Sequence, residues 1–563
     1  MENKKPLLAI ALLCAAGVAQ AGEKEELLKL RNTTTSLIKQ LVKQGVLTSQ
    51  QAEDMIKQAE ADAEQQAAQA KAESGGKAVD SADADEVRVT YVPDFVKDEI
   101  RQQVRAELKN DVVGDVLEKA KKEQWGIPDA LPDWVKRIKF SGDLRVREEF
   151  QFYGSQNQPF SYFNFQSIND NGGILAAGQD AFLNTTRDRN ALRERLRLSI
   201  DAKISEGWDA NVRLATGNIR SPVSTNQDLG NTSEKLQFSV DRAFIKYNAF
   251  DDNKLNWFTF AGGRIQNPWF TANSEVVWDR DLSFEGVAST VRHRFSSESL
   301  ADQFGENAPT VFLTGGIFPL QTSSRLGSDA KWFFGGQLGV DWGFKDQDAL
   351  KAGVAYYDYQ NIEAVLNNNT VNTCDTNSIE SNQSVPQFLQ FGNSLTSICN
   401  EGTINNPGGA GGLLGLAADY NIINANVEYD IANFAPIHIK VSGDFAKNIG
   451  FDRAAIFAAT AQDIEEQTDA WQFRLDVGWP SIDRSGHWSV FATYKRIERD
   501  AVLDALTDSN FHLGGTNARG WTIGGNYGLT NRVWVSGRWL STSVITGPTY
   551  DVDVLQLDLN TRF

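Results

Sequence analysis

Histidine, cysteine and methionine are nearly missing: four, three and two among 563 residues. Metal and thiol enzymes draw on the first two, so little is left to build either, and no catalytic group, metal or cofactor is expected. Basic residues are outnumbered, 55 against 73 acidic ones, for a net charge of −18. That balance argues against nucleic-acid binding, which needs a basic face. Beyond the first 20 residues no apolar run approaches the ~20 residues of a membrane helix. Aromatics, by contrast, are plentiful, with 14 Trp, 12 Tyr and 32 Phe, which excludes disorder as the state of the whole chain. The 46 glycines fit a chain of strands and turns.

The start reads as an address. Lys4 and Lys5 precede a short apolar core, Leu7 to Val18, and Ala19-Gln20-Ala21 supplies a small-x-small cleavage site, the three parts of a secretory signal peptide over 1–21. Residues 22–73 then read as helix. Leu27, Leu30, Thr34, Leu37 and Leu41 are spaced 3-4-3-4, a coiled-coil seam with one polar member. A Ser/Gly/Asp-rich linker covers 74–92. Pro93 opens an amphipathic helix within 93–134 whose apolar residues, Val96, Ile100, Val104, Leu108, Val112 and Val116, recur mostly every fourth position. A helix packed on its neighbour and a self-associating stalk both fit that spacing.

From 135 to 563 the period becomes two. Ile138, Phe140, Leu144, Val146 and Phe150 are interleaved with polar residues, as are Leu192, Leu196, Leu198 and Ile200. Each strand therefore has one apolar and one polar face. Similar runs occur near 138–150, 190–204, 208–217, 236–250, 256–266, 283–295, 309–319, 330–344, 348–360, 418–431, 436–447, 469–480, 487–500, 518–529, 532–543 and 551–563. Short connections such as 205–207, 251–255 and 530–531 alternate with long ones such as 151–189, 361–417 and 501–517, the pattern of an outer-membrane barrel. The connection 296–308 is long on the short side: it is an unusual turn, or the count is off by one strand pair. Trp208, Trp257, Trp342, Trp479 and Trp488 cluster beside the short turns, where an interfacial girdle belongs. The expected fold is an all-β transmembrane barrel of about 16 antiparallel strands, preceded by a periplasmic helical or coiled-coil segment.

The polar faces carry too many charges for a dry core, and a wet lumen tolerates them. By parity Arg145 and Arg147 on the first strand face inward, with Arg193, Arg195 and Arg197 on the second, Arg213 on the third and Arg264 on the fifth. Arg242 escapes assignment, because alternation breaks between Val240 and Ala243, as at a bulge. Cys374 and Cys399 share the longest loop in an oxidising compartment, where a disulfide is the default, worth roughly 3 kcal/mol in the chain-entropy account. His293, His438, His487 and His512 are scattered without a serine elbow beside them.

The stretches YVPDFVKDEIRQQVRAEL and WGIPDALPDWVKRIKFSGDLRVR, then VDRAFIKYN, AGGRIQNPWF and VWDRDLSFEGVA, resemble the entry, early strands and third loop of the Gram-negative "putative porin" family. The layout is more distantly similar to phosphate-selective porins. The resemblance implies an outer-membrane channel for small hydrophilic solutes or ions, set in outer-membrane lipid, with its N-terminal helices in the periplasm. The phosphate-selective likeness implies a homotrimer. Phe563, aromatic and last on an alternating strand, looks like the signal read by the outer-membrane assembly machinery. In general porins the third loop folds inward and its acids face a basic wall, which here casts Asp279 and Asp281 opposite the arginines as a constriction. The bland reading is a row of solvated ion pairs. An alternative role is structural, with the periplasmic helices tethering the membrane to the cell wall around a closed or gated barrel.

Overall fold

The computed structural model describes residues 133–252, 254–295, 308–322, 329–344, 347–366, 382–398 and 412–563. The signal peptide, the coiled-coil segment, the linker, nearly all of 93–134 and the Cys374–Cys399 pair lie outside the described residues.

Sixteen strands form the wall: β1 (Ile138–Tyr153), β2 (Arg189–Ser205), β3 (Trp208–Ala215), β4 (Ser239–Phe250), β5 (Asn256–Gln266), β6 (Ser283–Arg294), β7 (Thr310–Gln321), β8 (Lys331–Gly343), β9 (Ala349–Gln360), β10 (Asn421–Ile431), β11 (His438–Asn448), β12 (Asp469–Gly478), β13 (Trp488–Ile497), β14 (Ala518–Thr530), β15 (Val533–Val544) and β16 (Asp551–Arg562). Every sequence neighbour pairs antiparallel, and β1 also pairs with β16, from Asp143↔Arg562 to Tyr153↔Val552. Closure leaves no edge strand, the condition for a sheet in lipid. At the seam Phe563 and Gly142 exchange both backbone hydrogen bonds, at 2.9 and 3.0 Å. A two-residue strand, Gln227–Asp228, adds to β2 beyond the end of the short β3.

The 296–308 question is resolved by register. β6 and β7 pair directly as far as Arg294↔Thr310, so no strand pair lies between them in the wall. The break in β4 is a bulge: Arg213 pairs with Arg242 and Leu214 with Val240, leaving Asp241 as the extra residue.

Period-two alternation sorts the faces. Leu338, Val354 and Ile523 point outward and are each more than half exposed on the isolated chain, as a lipid-facing row must be. The interior is divided. Where β6–β9 bound it, the inward residues include Phe284, Phe318, Phe333, Tyr357 and Tyr359, all buried. Segments from several connections fill this half, among them 267–282, the hairpin Leu395–Ser397 with Leu414–Leu416, and 498–517. Where β1–β3 and β12–β16 bound it, the inward residues are largely polar and charged, apart from a second apolar cluster that includes Leu540, Val544, Val552 and Val554.

Two glycines prepare the inward connection. Gly263 and Gly286 face each other in the β5–β6 register, either side of 267–282, with φ of 123° and 142°. A Cβ on either would run into a backbone oxygen of the adjoining strand, that of Ala243 or Ile317. Gly286→Ala is therefore expected to cost about 1 kcal/mol or more, read as a lower urea midpoint of tryptophan fluorescence. Gly315→Ala, at an open position, is the control and is expected to leave the midpoint in place.

Candidate functional site

The connection 267–282 is held on the aromatic half of the wall by two indoles. Trp278 packs edge-on against Tyr357 and Phe284, with ring centroids 5.0 Å apart in both cases, and tilted against Phe333 at 5.3 Å. Trp269 meets Tyr357 edge-on at 5.4 Å, with Phe318 and Phe333 at 6.3 Å. Val276 and Val277 are buried beside them. Burial of this much aromatic surface fixes the loop more firmly than any single ion pair could.

The second clamp is polar and joins distant parts of the chain. Asp279 N–H donates to the Leu506 carbonyl at 2.8 Å, and Asp508 N–H to that of Glu275 at 3.3 Å. Thr507 Oγ1 donates to the carbonyls of Glu275 and Val276, at 3.0 and 2.7 Å. The Asp279 carboxylate accepts from the N–H groups of Asp281 and Ser509, at 2.8 and 2.9 Å. Asp279 thus ties two loops together; it lines the same cavity as Arg145, Arg195 and Arg197 but forms no ion pair with them among the described residues. Burial, then Glu275, Asp281 and Asp508, push its carboxyl well above the usual carboxylate range. Asp508 goes the other way. Burial opposes its charge, but Lys495 at 2.6 Å outweighs it and holds the carboxyl down at about 2.

Asp281, two residues on, does reach the wall. Its Oδ1 lies 2.9 Å from Arg197 and 3.8 Å from Arg195, and its Oδ2 accepts from Thr225 Oγ1 at 3.1 Å. The same two arginines share Asp143, at 2.9 and 2.8 Å. Burial disfavours the Asp281 charge, but Arg195, Arg197 and Arg145 together outweigh burial and hold its carboxyl below the usual range. Arg145 stands directly opposite Arg195 in register. It donates to the Asn226 amide oxygen, its Nε has no partner, and it forms no ion pair among the described residues.

The other arginines are spoken for. Arg147, 1 % exposed, binds Asp558 through two bonds of 2.7 and 2.9 Å. Arg193 bridges Asp228 at 2.7 Å and Glu149 at 3.1 Å. Arg213 pairs with the bulge residue Asp241, both buried. Arg264 needs correcting. Its register partners are Ala243 and Glu285, and it shares a row with Phe258, Phe260 and Gly262, so it faces outward at the loop end of β5. The Ala-Gly-Gly run 261–263 has no alternation from which parity could be counted.

These groups enclose a polar cavity of about 470 Å³. Arg145, Arg195 and Arg197 line one side, Asp281 and Glu275 lie on the loop, and Arg474, Lys495 and Arg538 complete the ring from β12, β13 and β15. The last three were missed, though alternation on those strands marks them as inward. Glu275 and Asp508 were missed for a different reason: loop residues carry no period. Arg538 has no ion-pair or hydrogen-bond partner among the described residues. Glu275, Asp279 and Asp508 also lie close enough to share a cation. Lys495, Arg280 and backbone N–H groups already satisfy their oxygens. His438 pairs with Asp430, His487 stacks on Trp479 and His512 is buried against Thr542.

A family model described as "Putative porin" matches residues 31–563. No curated protein matches the sequence. Among solved structures, the outer membrane channel DcaP of Acinetobacter baumannii is 11% identical with a TM-score of 0.37, over 76% of this chain and 97% of that one. OprB of Pseudomonas putida is 10% identical with a TM-score of 0.42, over 78% and 97%. A triple mutant of the Rhodopseudomonas blastica porin is 12% identical with a TM-score of 0.33, over 76% and 100%.

The lowered Asp281 carboxyl fixes the sign of a pH effect. A depressed carboxyl stabilises above its unfolded value, about 3.9 for aspartate, and that contribution is lost as pH falls through the folded value. Asp281→Asn is expected to lower stability by about 1–3 kcal/mol at pH 7. The gap from the unsubstituted protein should close only in acid below pH ~4. Urea titrations at a series of pH values check both statements.

Proposed function

The chain belongs to the "putative porin" family and is an outer-membrane diffusion channel, and on that premise we propose that its solutes pass through the polar cavity bounded by the β1–β2 arginines, the inward connection 267–282 and the basic residues of β12, β13 and β15. The observation that carries this reading is the polar cavity walled by Arg145, Arg195 and Arg197 and bounded by Asp281 on the loop. Arginines and a lysine from both sides of the barrel, with carboxylates on the loop between them, give this lining a dense pattern of charge. Such charged linings are a source of selectivity in pores. Arg147, Arg193 and Arg213 serve the wall rather than the solute, since each is committed to a carboxylate. Arg145 and Arg538 keep free N–H groups towards the lumen and give the path its positive surplus. Small hydrophilic solutes cross by passive diffusion, with no catalytic step.

The finer assignments belong to the same proposal. The segment before the barrel lies in the periplasm, several copies associate as a trimer, and Phe563 is read by the assembly machinery. Phe563 exchanges both backbone hydrogen bonds with Gly142 at one end of the β1–β16 seam.

Arg195→Gln/Arg197→Gln in a planar bilayer under a salt gradient tests the path. Removing two wall cations is expected to move the reversal potential towards cation preference. A reversal potential identical to that of the unsubstituted channel would place the path elsewhere.

A further inference from the structure

The polar half of the interior holds a second chamber besides the arginine-lined one. It lies on the side of the long connections, has a volume of about 470 Å³, and is lined from the wall by Glu149, Gln151, Tyr153, Arg193 and Gln556. The arginine chamber runs the other way, towards the short turns, where Asn526, Ser536 and Asn560 line it. The inward ladder of β1 shows where the two part. Arg145 lines the turn-side chamber, Glu149 lines the loop-side one, and Arg147 between them lines neither. On β16 the division falls between Asp558 and Gln556, the register partners of Arg147 and Glu149.

The dividing row is covered by the tip of the 498–517 connection. Among the described residues Asn510 alone lines both chambers. Its Oδ1 accepts from Arg147 Nη1 at 3.1 Å and from Gln556 Nε2 at 3.2 Å. Its Nδ2 reaches only Ser509 Oγ, at 3.5 Å. The backbone of the tip is firmly placed. Asp508, held by Lys495 at 2.6 Å, accepts from the N–H groups of Asn510 and Phe511, at 2.9 and 3.2 Å. The next four residues, His512 to Gly515, all have positive φ, between 53° and 110°. Residues with side chains adopt that conformation at a cost, and such strain gathers where a segment must be presented. The Asn510 side chain itself is held less firmly. Hydrogen bonds to a neutral amide contribute little net and can break and re-form as a solute passes. Arg147 keeps both bonds to Asp558 when the amide swings away, so opening leaves no buried charge unpaired. We propose that solutes enter by the loop-side chamber and that the Asn510 side chain, by releasing Arg147 and Gln556, sets the size of what reaches the arginines. The proposal rests on the channel reading and adds a filter to it: the arginines act on charge, and the neutral amide acts on size.

Polymer exclusion in a planar bilayer tests it in the full-length protein. Conductance is read with polyethylene glycols of increasing size, which are uncharged and so insensitive to the arginines. Asn510→Ala is expected to raise conductance by up to about twofold, since the lining at a narrow point governs passage. It should also admit polymers that the unsubstituted channel excludes. The reversal potential under a salt gradient should stay in place, because Arg145, Arg195 and Arg197 are untouched. Asn510→Asp keeps an acceptor for both donors and adds attraction to Arg147, and is expected to show no such gain. Gel mobility with and without heating shows that each barrel is folded. An Asn510→Ala channel with the unsubstituted size limit overturns the proposal. A gain in both variants also overturns it, because the tip as a whole would then have loosened. Conductance separates this from the channel reading. A conducting barrel indifferent to Asn510 defeats the size filter alone, and a folded but silent unsubstituted barrel defeats the channel.

Discussion

Everything about the lumen follows from where two tryptophans go. Trp269 and Trp278 leave the wall with the 267–282 connection and return to it on the aromatic patch of β6–β9. Two indoles settling among Phe and Tyr rings exclude water from this part of the barrel. The other half stays wet by default. A barrel of sixteen strands is wide enough to be either filled or open. This one is both, and the aromatic contact draws the boundary.

That division explains the electrostatics. Arginines side by side on one face of a strand repel unless something intervenes. Here Asp143 from the wall and Asp281 from the loop stand between Arg195 and Arg197. One is placed by strand register and the other by the tryptophan anchor, so the charge balance of the wall depends on the apolar docking of the loop. Arg145, next in register, has only an amide. The unbalanced charge therefore lies at the edge of the ion-pair network, facing the open cavity. Asp279 forms no ion pair with these arginines among the described residues and holds the loop to residues 506–509.

Alternation made the wall legible. Sixteen runs with apolar and polar residues in turn became sixteen strands, because lipid on one side and water on the other enforce period two along every strand. The same rule located Arg145, Arg195 and Arg197 and would have located Arg474 and Arg538. It failed at Arg264, where small residues erase the pattern, and became ambiguous at the β4 bulge, where Asp241 is the extra residue. It said nothing about the interior partners. Asp508 and Glu275 are brought together by loops whose residues are chosen for mutual packing rather than for a face. The third-loop analogy placed the right segment inside but assigned Asp279 and Asp281 the same job. The backbone N–H groups around Asp279 show why they differ.

The tie between Asp279 and Ser509 spans 230 residues. Ser509 follows β13, and its own loop is fixed only once β14 is in place. The first nine strands can carry the tryptophan-anchored loop, yet the side that clasps that loop arrives near the end of the chain. The clasp is a property of the completed ring, and a chain cut short before its last strands would lack it as well as the wall.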